Sequence, residues 1–396
     1  MTDTQKLMVQ LTRASLFDSE CDFSAFHDFG KWEELYRLCS INSIGGIVFD
    51  CVSKNFADVI PPAIIGSWKS SSVMLSAVQL ARSEAFFGVY SRLCQSGLHP
   101  VILKGEAIRA LYPDHYARSS VDEDLYIAPD EYQPLAESLA SLGFELVDGD
   151  GSDKHWVNKK LSLYLEIHTS LFPDDDIYRG WNEAVDPSPY KTVINKKELF
   201  TLSREDGFVF LILHTAKHFV YSGFGIRHLA DIALYLNHYQ NGMDFDSVKS
   251  KLCKARAAEF ADDIIALINE IFCINSPFIL QKNKVNSTLM ADILDSGTLG
   301  AGSEERRLSA SVTSSRFKNK SALSFLKQVL FPSVKRLKEK YPFAKKYPFL
   351  LPAAWFLRIL GYLKSGLGFA PVKKANKRMK LLNKYGFIKN QTAHRN

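Results

Sequence analysis

The stretch that decides the fold is 101-VILKGEAIRALYPDHYARSSVDEDLYIAPDEY-132. It begins with a short apolar segment that ends at Lys104-Gly105, and a brief helical segment closed by Pro113 follows. A second apolar segment, "DLYIA", comes directly after three consecutive acids. These changes of period predict a strand, a short helix and a second strand. A longer helix should follow, because Pro129 is suited to its first turn and a glycine stands at its end.

The three acids, Asp122, Glu123 and Asp124, allow two interpretations. Side chains alternate along a strand, so Asp122 and Asp124 should share one face, and Glu123 should point away and tolerate replacement. Two carboxylates at this spacing can both reach one Mg²⁺ ion, which prefers oxygen ligands. The alternative is a solvated strand start without a ligand, since acids are mostly exposed.

Two neighbouring segments favour the metal interpretation. A glycine after a strand, as at Lys104-Gly105, lets backbone approach a phosphate, and a helix N-terminus offers free N–H groups to an anion. Downstream, "SLYLEIH" places Glu166 and His168 on one strand face. A carboxylate in an apolar strand is expensive to bury unless it is paired or metal-bound. Glu166 is therefore a candidate third acid beside Asp122 and Asp124.

The periodicity along the chain predicts five regions. Residues 1–98 carry apolar residues at helical spacing, residues 99–200 alternate between strand and helix patterns, and residues 201–285 return to a helical period. Residues 286–315 are polar and rich in Ser and Gly, which is typical of a linker, and residues 316–396 form a basic tail. The expected class is α+β, with a small mixed sheet and flanking helices between two helical regions.

Composition and charge limit the cellular setting. The six cysteines lie without a CxxC pair or a Cys/His ligand spacing, and the first residues lack an apolar core behind a basic head. We therefore expect reduced thiols and a cytoplasmic protein. Residues 301–396 hold 22 basic and 3 acidic residues, whereas residues 1–300 hold 27 basic and 40 acidic ones. A basic tail on an acidic body should seek an anionic surface.

In the tail, 349-FLLPAAWFLRILGYLK-364 is aromatic and aliphatic, interrupted by charges and flanked by lysines. It is too short and too charged to span a bilayer, but it suits a helix lying in an anionic membrane interface. Packing of the tail on the acidic body is an equal alternative. Nucleic acid ranks third, because the chain has no recognised nucleic-acid motif. We therefore expect no specific nucleic acid partner.

The order of parts resembles the polymerase-beta-like nucleotidyltransferase superfamily: a glycine turn, a DxD strand, and a third acid on a later strand. More specifically, "LKG", an Arg four residues before the DxD, "LGF", a lone His and "LEIH" resemble a bacterial family usually described as uncharacterised nucleotidyltransferases. The matching positions are Lys104, Gly105, Arg118, Asp122, Asp124, His155, Glu166 and His168. "HTAKHFVYSGFGIRHLADIALYL" also fits, through His214, Lys217, His218, Arg227 and Asp231.

The resemblance implies a polymerase-beta-like core and transfer of a nucleoside monophosphate from an NTP to a hydroxyl, with release of pyrophosphate. Asp122, Asp124 and Glu166 would be catalytic and would hold two Mg²⁺ ions. Lys104, Gly105, Arg118 and His168 would contact the nucleotide, although Arg118 could instead pair with the acids and Lys104 could simply extend to solvent. The turn departs from the wider superfamily, which has Gly-Ser or Gly-Gly where this chain has Lys-Gly followed by Glu106. The acceptor is open: a glycan precursor, a peptide or a protein.

Two other functions stay open. The chain could be an inactive relative that keeps the fold and uses its cleft for binding. Alternatively, His214 and His218 have the i, i+4 spacing of a zinc pair, with His168 or Asp231 as a third ligand of a metallohydrolase. A polar helix face closing the cleft over the nucleotide is the competing interpretation of these two histidines. Asp231 could pair with Lys217 or Arg227 in a structural role.

Overall fold

The computed structural model describes residues 1–274 except 18, 27 and 150–152, and also residues 276, 285–298, 341, 343, 347–364 and 370–387. Among them lie twelve α-helices of ten or more residues and one four-residue α-helix that follows the first strand. The helices are α1 (Asp3–Phe17), α2 (Trp32–Ile41), α3 (Gly45–Phe56), α4 (Pro62–Gln95), α5 (Glu106–Arg109), α6 (Tyr132–Ser141), α7 (Arg204–Tyr221), α8 (Ile226–Tyr239), α9 (Phe245–Lys254), α10 (Ala258–Phe272), α11 (Ser287–Ser296), α12 (Leu351–Lys364) and α13 (Ala370–Lys384).

A seven-stranded mixed sheet lies between the helical regions. Its strands are β1 (Val101–Ile102), β2 (Glu123–Tyr126), β3 (Glu145–Asp148), β4 (Asp153–Asn158), β5 (Leu163–His168), β6 (Tyr190–Ile194) and β7 (Lys197–Thr201). They are ordered β3-β4-β5-β2-β1-β7-β6. The pairs β2–β5 and β1–β7 are parallel and the other pairs are antiparallel. The predicted α+β class, with a mixed sheet between helical regions, is confirmed.

Strand alternation gives the sheet two chemically different faces. Leu125 on β2 and Leu165 and Ile167 on β5 point into an apolar cluster that also contains Phe86 of α4 and Leu135 of α6. The opposite face carries Asp124 and Glu166, which line a cavity with side chains of α7 and α8. One face of the sheet therefore builds the core, and the other is left for polar groups.

Helices that precede the sheet in the chain and helices that follow it pack together in one hydrophobic core. The apolar face of α1, with Leu7 and Leu11, and that of α10, with Ile264 and Ile268, belong to the same cluster of buried residues. The rings of Phe17 and Phe272 lie 5.3 Å apart at the ends of these two helices. The predicted regions 1–98 and 201–285 thus bury their apolar faces against each other.

Part of the predicted linker is helical. Residues 287–296 form α11, whose N-terminus is capped by Asn286 Oδ1, the acceptor of the Leu289 N–H at 3.1 Å. Leu289, Ile293 and Leu294 are buried in the main core. The prediction of a linker is wrong for these residues, because their apolar side chains recur at helical spacing within the polar surroundings. Residues 299–315 lie outside the described residues.

Residues 381–387 of the basic tail pack on the body. Leu381 and Leu382 of α13 and the following Tyr385 and Phe387 join the main core. Buried Asp263 of α10 accepts hydrogen bonds from Lys384 Nζ at 2.7 Å and from the Tyr385 hydroxyl at 2.5 Å. Across the described residues, no helix is long and apolar enough to cross a membrane.

Candidate metal and nucleotide site

The centre of the site is a pair of carboxylates on neighbouring parallel strands. Asp124 of β2 and Glu166 of β5 are partners in the parallel register, so both side chains project from the same face. His155 of β4 is the antiparallel partner of Glu166, which extends this polar row to a third strand. The sequence pattern predicted that Asp124 and Glu166 lie together, and the parallel register of β2 and β5 explains why they do.

His168 completes the group two residues after Glu166. One ligand atom from each of Asp124, Glu166 and His168 lies within 4.8 Å of the others. His168 Nε2 is 3.4 Å from both Asp124 Oδ1 and Glu166 Oε1, and its Nδ1 is 3.0 Å from Asp153 Oδ1. Among the described residues, this is the one group of three such side chains close enough to hold a metal ion.

Burial and neighbouring charges shift the pKa values of the three side chains in different directions. Burial disfavours the charged form of His168, but hydrogen bonds with Asp124 and Asp153 and the nearby carboxylate charges raise its pKa to about 9. Burial also opposes ionisation of Asp124, yet Lys104 and His168 lower the pKa of Asp124 below its usual value. Glu166 is different, because burial and the charge of Asp124 raise its pKa despite His168 and Lys104. Asp124 is therefore a carboxylate anion, and His168 carries a proton at neutral pH.

The chemistry of the three side chains decides how each fits a cation. The oxygens of Asp124 and Glu166 suit a hard divalent ion such as Mg²⁺. His168 lies close enough to be a third ligand, and it would have to lose its proton to bind the ion, because metal binding competes with protonation. Lys104 Nζ lies 3.1 Å from Asp124 Oδ2 and 2.8 Å from His214 Nε2. A bound cation would compete with Lys104 for the Asp124 carboxylate.

Asp122 lies outside this group. It precedes β2 and is exposed, although it lines the same cavity as Asp124 and Glu166. The cavity has a volume of about 190 Å³ and is also lined by Lys104, Gly105, Arg118, Lys217 and Arg227. A role for Asp122 as a metal ligand stays a prediction.

Glu123 contradicts the expectation that it is a tolerant spectator. It is only 4% exposed and lies on the face towards α4 and α5. Its Oε1 accepts from Arg109 Nη2 at 3.1 Å, and its Oε2 accepts from the Glu106 N–H at 2.9 Å. Strand alternation was predicted correctly, but the second face is protein interior. The sequence signal was Arg109, a cation on the short helix before the acids.

The same contacts change the interpretation of the glycine turn. Gly105 adopts φ +57° and precedes α5, and the first amide of that helix is already bound by the Glu123 carboxylate. The Glu106 side chain is buried against Arg109 and accepts from Ser83 Oγ at 2.6 Å, so it faces away from the cavity. The turn therefore presents a protein carboxylate where a free anion-binding amide was predicted. Contact of Gly105 with a nucleotide stays a prediction.

Arg118 pairs with Asp231 of α8. Nε and Nη2 of Arg118 lie 2.7 and 2.9 Å from the two carboxylate oxygens of Asp231, and the Tyr112 hydroxyl donates to the same carboxylate at 2.7 Å. Burial opposes ionisation of Asp231, but Arg118 keeps its pKa below the usual value. This bidentate pair joins the loop before β2 to α8. Asp231 therefore makes a structural ion pair, with Arg118 as its partner where Lys217 or Arg227 was predicted.

Three histidines form the wall opposite the carboxylates. His214 Nε2 and His218 Nε2 are 2.8 Å apart, and the ring of His228, which sequence reasoning missed, lies 5.1 Å from that of His218. Burial, followed by the positive charge of Lys104, lowers the pKa of His218 to about 3, and burial also lowers those of His214 and His228. Within the described residues they form no three-ligand group, and Asp231 is already bound by Arg118. Among the residues that the structure describes, the predicted zinc pair of His214 and His218 therefore lacks a third ligand.

Comparison with known proteins identifies the family of the chain. The sequence model of a family described as "Uncharacterised nucleotidyltransferase" matches residues 29–273, a range that includes the whole sheet and α7–α10. No curated protein and no solved structure gives a significant match. Because the matched range covers more than half of the sequence and contains Asp124, Glu166 and His168, the chain belongs to this family of uncharacterised nucleotidyltransferases.

Proposed function

We propose that the protein is a Mg²⁺-dependent nucleotidyltransferase that moves a nucleoside monophosphate from an NTP to a hydroxyl of an acceptor. The observation that carries this proposal is the parallel register of Asp124 and Glu166, which brings two carboxylates together in a cavity that is also lined by lysine and arginine side chains. Family membership supports the transferase class. The nature of the acceptor, a glycan precursor, a peptide or a protein, is left open by this proposal.

The residues of the chain divide the work of such a transfer. Asp124 and Glu166 are the expected ligands of one or two Mg²⁺ ions, with Asp122 as a further candidate at the cavity mouth. A bound divalent ion would neutralise phosphate oxygens and assist in-line displacement. Lys104 is placed to move from Asp124 to a phosphate, because a lysine is a flexible point charge. His168 Nε2 lies 3.4 Å from both carboxylates and would offset part of their negative charge.

The test is transfer of label from α-³²P-labelled NTPs in the presence of Mg²⁺ and a cell lysate as the source of acceptor. The wild type should label a lysate component and release pyrophosphate. Asp124→Asn should lower the rate by a factor of about 100 or more, because it removes a charge that acts at the reacting phosphate. Asp130→Asn, which changes an exposed acid just after β2, is the matched control and should keep the activity.

An inactive binding protein gives a different result. If each of the four NTPs leaves the lysate unlabelled, and calorimetry detects no Mg²⁺-dependent NTP binding, the transferase proposal is wrong. Binding without transfer would support a relative that keeps the site for recognition only. Equal activity of Asp124→Asn and wild type would also contradict the proposal.

We also propose that the segment around α12 associates with anionic membranes at their cytoplasmic face. Phe349, Phe356 and Leu357 are 77%, 62% and 47% exposed, and lysines flank them in the sequence. Apolar side chains beside basic residues suit the interface of an anionic bilayer. The full-length protein should float with phosphatidylglycerol vesicles but not with phosphatidylcholine vesicles, and Phe356→Ser should reduce flotation. Equal flotation with both lipids would contradict the electrostatic part.

A further inference from the structure

The cavity above Asp124 and Glu166 contains polar atoms that the protein itself leaves without a partner. Arg118 is 3% exposed and His228 is 7% exposed. Within the described residues, Arg118 Nη1, Arg227 Nε and His228 Nδ1 are buried and have no hydrogen-bond partner. All three side chains line the cavity. A buried donor without an acceptor is costly, so three of them at one cavity indicate an absent acceptor.

The placement of the charges indicates that this acceptor is an anion. Arg227 and His228 stand in the first turn of α8, where the helix dipole disfavours cations and where this helix has no acid. Asp231, one turn later, is already neutralised by the bidentate contact with Arg118. Arg227 Nη1 is anchored to the Ser119 carbonyl at 3.0 Å, which directs the guanidinium over the loop that leads to Asp122. Lys217 of α7 lines the same space and adds a further positive charge.

The histidine contributes as a neutral donor. Burial and the positive charge of Arg227 keep the pKa of His228 well below its usual value. A neutral imidazole carries one N–H, and the ring can direct it from Nδ1 towards an anion. Two guanidinium groups and one imidazole thus converge from the loop before β2 and from α8.

The size of the cavity limits what the anion can be. Pockets that bury a whole drug-sized ligand usually have volumes of about 300–1,000 Å³, whereas this one has about 190 Å³. It has room for phosphate groups, with the base and sugar outside. The glycine turn is not a free alternative, because Glu123 already binds the first amide of α5.

We propose that Arg118, Arg227 and His228 form the subsite for the terminal phosphates of the NTP and for the pyrophosphate that leaves, in place of the glycine turn. This inference rests on the proposed function, because it assumes that the cavity binds a nucleotide. Arg227 and His228 are binding residues of this subsite, and Lys217 contributes charge. Helices α7 and α8, and not the strand-to-helix turn, would then recognise the polyphosphate.

The test is titration of the full-length protein with pyrophosphate in Mg²⁺ buffer by calorimetry. Arg227→Gln should weaken binding about tenfold or more, since hydrogen bonds to charged groups contribute at this level. Arg227→Lys should recover part of the affinity. Arg92→Gln, which replaces an exposed arginine of α4 outside the cavity, should bind like the wild type. Thermal melting followed by circular dichroism shows whether each variant is folded. If Arg227→Gln does not fold, His228→Asn replaces it in the binding test.

Each result bears on the subsite separately from the transfer reaction. ATP that competes with pyrophosphate supports the proposal, whereas simultaneous binding of both would assign these residues to another anion and overturn it. Absence of pyrophosphate binding to the wild type, or unchanged binding to folded Arg227→Gln and His228→Asn, would also overturn it. Pyrophosphate binding that depends on Arg227, without any nucleotide transfer, would retain the subsite and refute the transferase proposal. Nucleotide transfer by the wild type, together with unchanged pyrophosphate binding to folded Arg227→Gln and His228→Asn, would retain the transferase proposal and refute the subsite.

Discussion

Gly105 lies directly under the carboxylate of Glu123: a Cβ at position 105 would overlap Glu123 Oε2. The carboxylate approaches this closely because it binds the Glu106 N–H at 2.9 Å, and Gly105 adopts φ +57° to turn the chain into α5. The two residues together fix the turn between β1 and the short helix at the edge of the cavity.

Gly105→Ala should therefore destabilise the protein. The substitution places a methyl group against a buried carboxylate, and alanine must adopt a backbone conformation that L-residues rarely adopt. We therefore expect the free energy of unfolding to fall by about 2–5 kcal/mol. Urea unfolding followed by circular dichroism measures the loss. Gly97→Ala is the matched control, because Gly97 also has positive φ but has no neighbouring atom within 4 Å of its Cβ position. Equal effects of the two variants would show that the Glu123 contact adds nothing.

Substitution of Glu123 should mainly lower the stability of the protein, whereas substitution of Asp124 should mainly lower nucleotide transfer. Glu123→Ala leaves buried Arg109 with one carboxylate fewer and frees the α5 amide, so the free energy of unfolding should fall by about 3–5 kcal/mol. Asp124→Asn keeps the shape of a side chain at the cavity, and it should lose nucleotide transfer with a smaller change in stability. Chemical denaturation and the labelling assay, performed on both variants, separate the effects. A stable Glu123→Ala protein would refute the buried role of Glu123.

The three neutral histidines should make the protein sensitive to acid. Burial lowers the pKa of His218 to about 3 and also lowers those of His214 and His228, whereas the unfolded chain takes up protons near its ordinary histidine pKa. Their stabilising contribution is therefore present above pH of about 6.5 and is lost as the pH falls towards the folded values. Each histidine should contribute a slope of roughly 1.4 kcal/mol per pH unit below that point.

The measurement is urea unfolding at a series of pH values between neutral and mildly acidic. His218→Asn should reduce the slope, since one proton fewer is taken up on unfolding. His238→Asn, which replaces an exposed histidine of α8, should leave the slope unchanged. An unchanged slope in His218→Asn would indicate that His218 is charged in the folded protein.

Asp263 should be essential for docking of α13. It is 1% exposed and accepts hydrogen bonds from Asn286, Lys384 and Tyr385. Asp263→Ala leaves these donors without their acceptor, so we expect the free energy of unfolding to fall by about 2–3 kcal/mol. Faster proteolysis of the C-terminal segment should accompany it. Glu270→Ala, at an exposed position of the same helix, is the control and should behave like the wild type in both measurements.

Several elements could be predicted from local pattern. The strands "VIL", "DLYIA" and "LYLEIH" and the helix after Pro129 follow from period and punctuation, and they correspond to β1, β2, β5 and α6. The hairpin β6–β7 was not predicted as such. The sequence feature that predicts this hairpin is Asn195 followed by Lys196 between two segments with residues typical of strands. Both residues adopt positive φ in the turn.

The sequence by itself determined the order of helices and strands, the family, and the alternation that separates Glu123 from Asp124. Each of these depends on residues close together along the chain. Only the tertiary structure decided that both sides of β2 are covered, so that Glu123 is buried against Arg109. It also decided that Arg118 binds Asp231, and that His228 and Arg227 face the carboxylates across a cavity. Such contacts join residues up to 113 positions apart, and they depend on strand order and helix packing, which local periodicity does not specify.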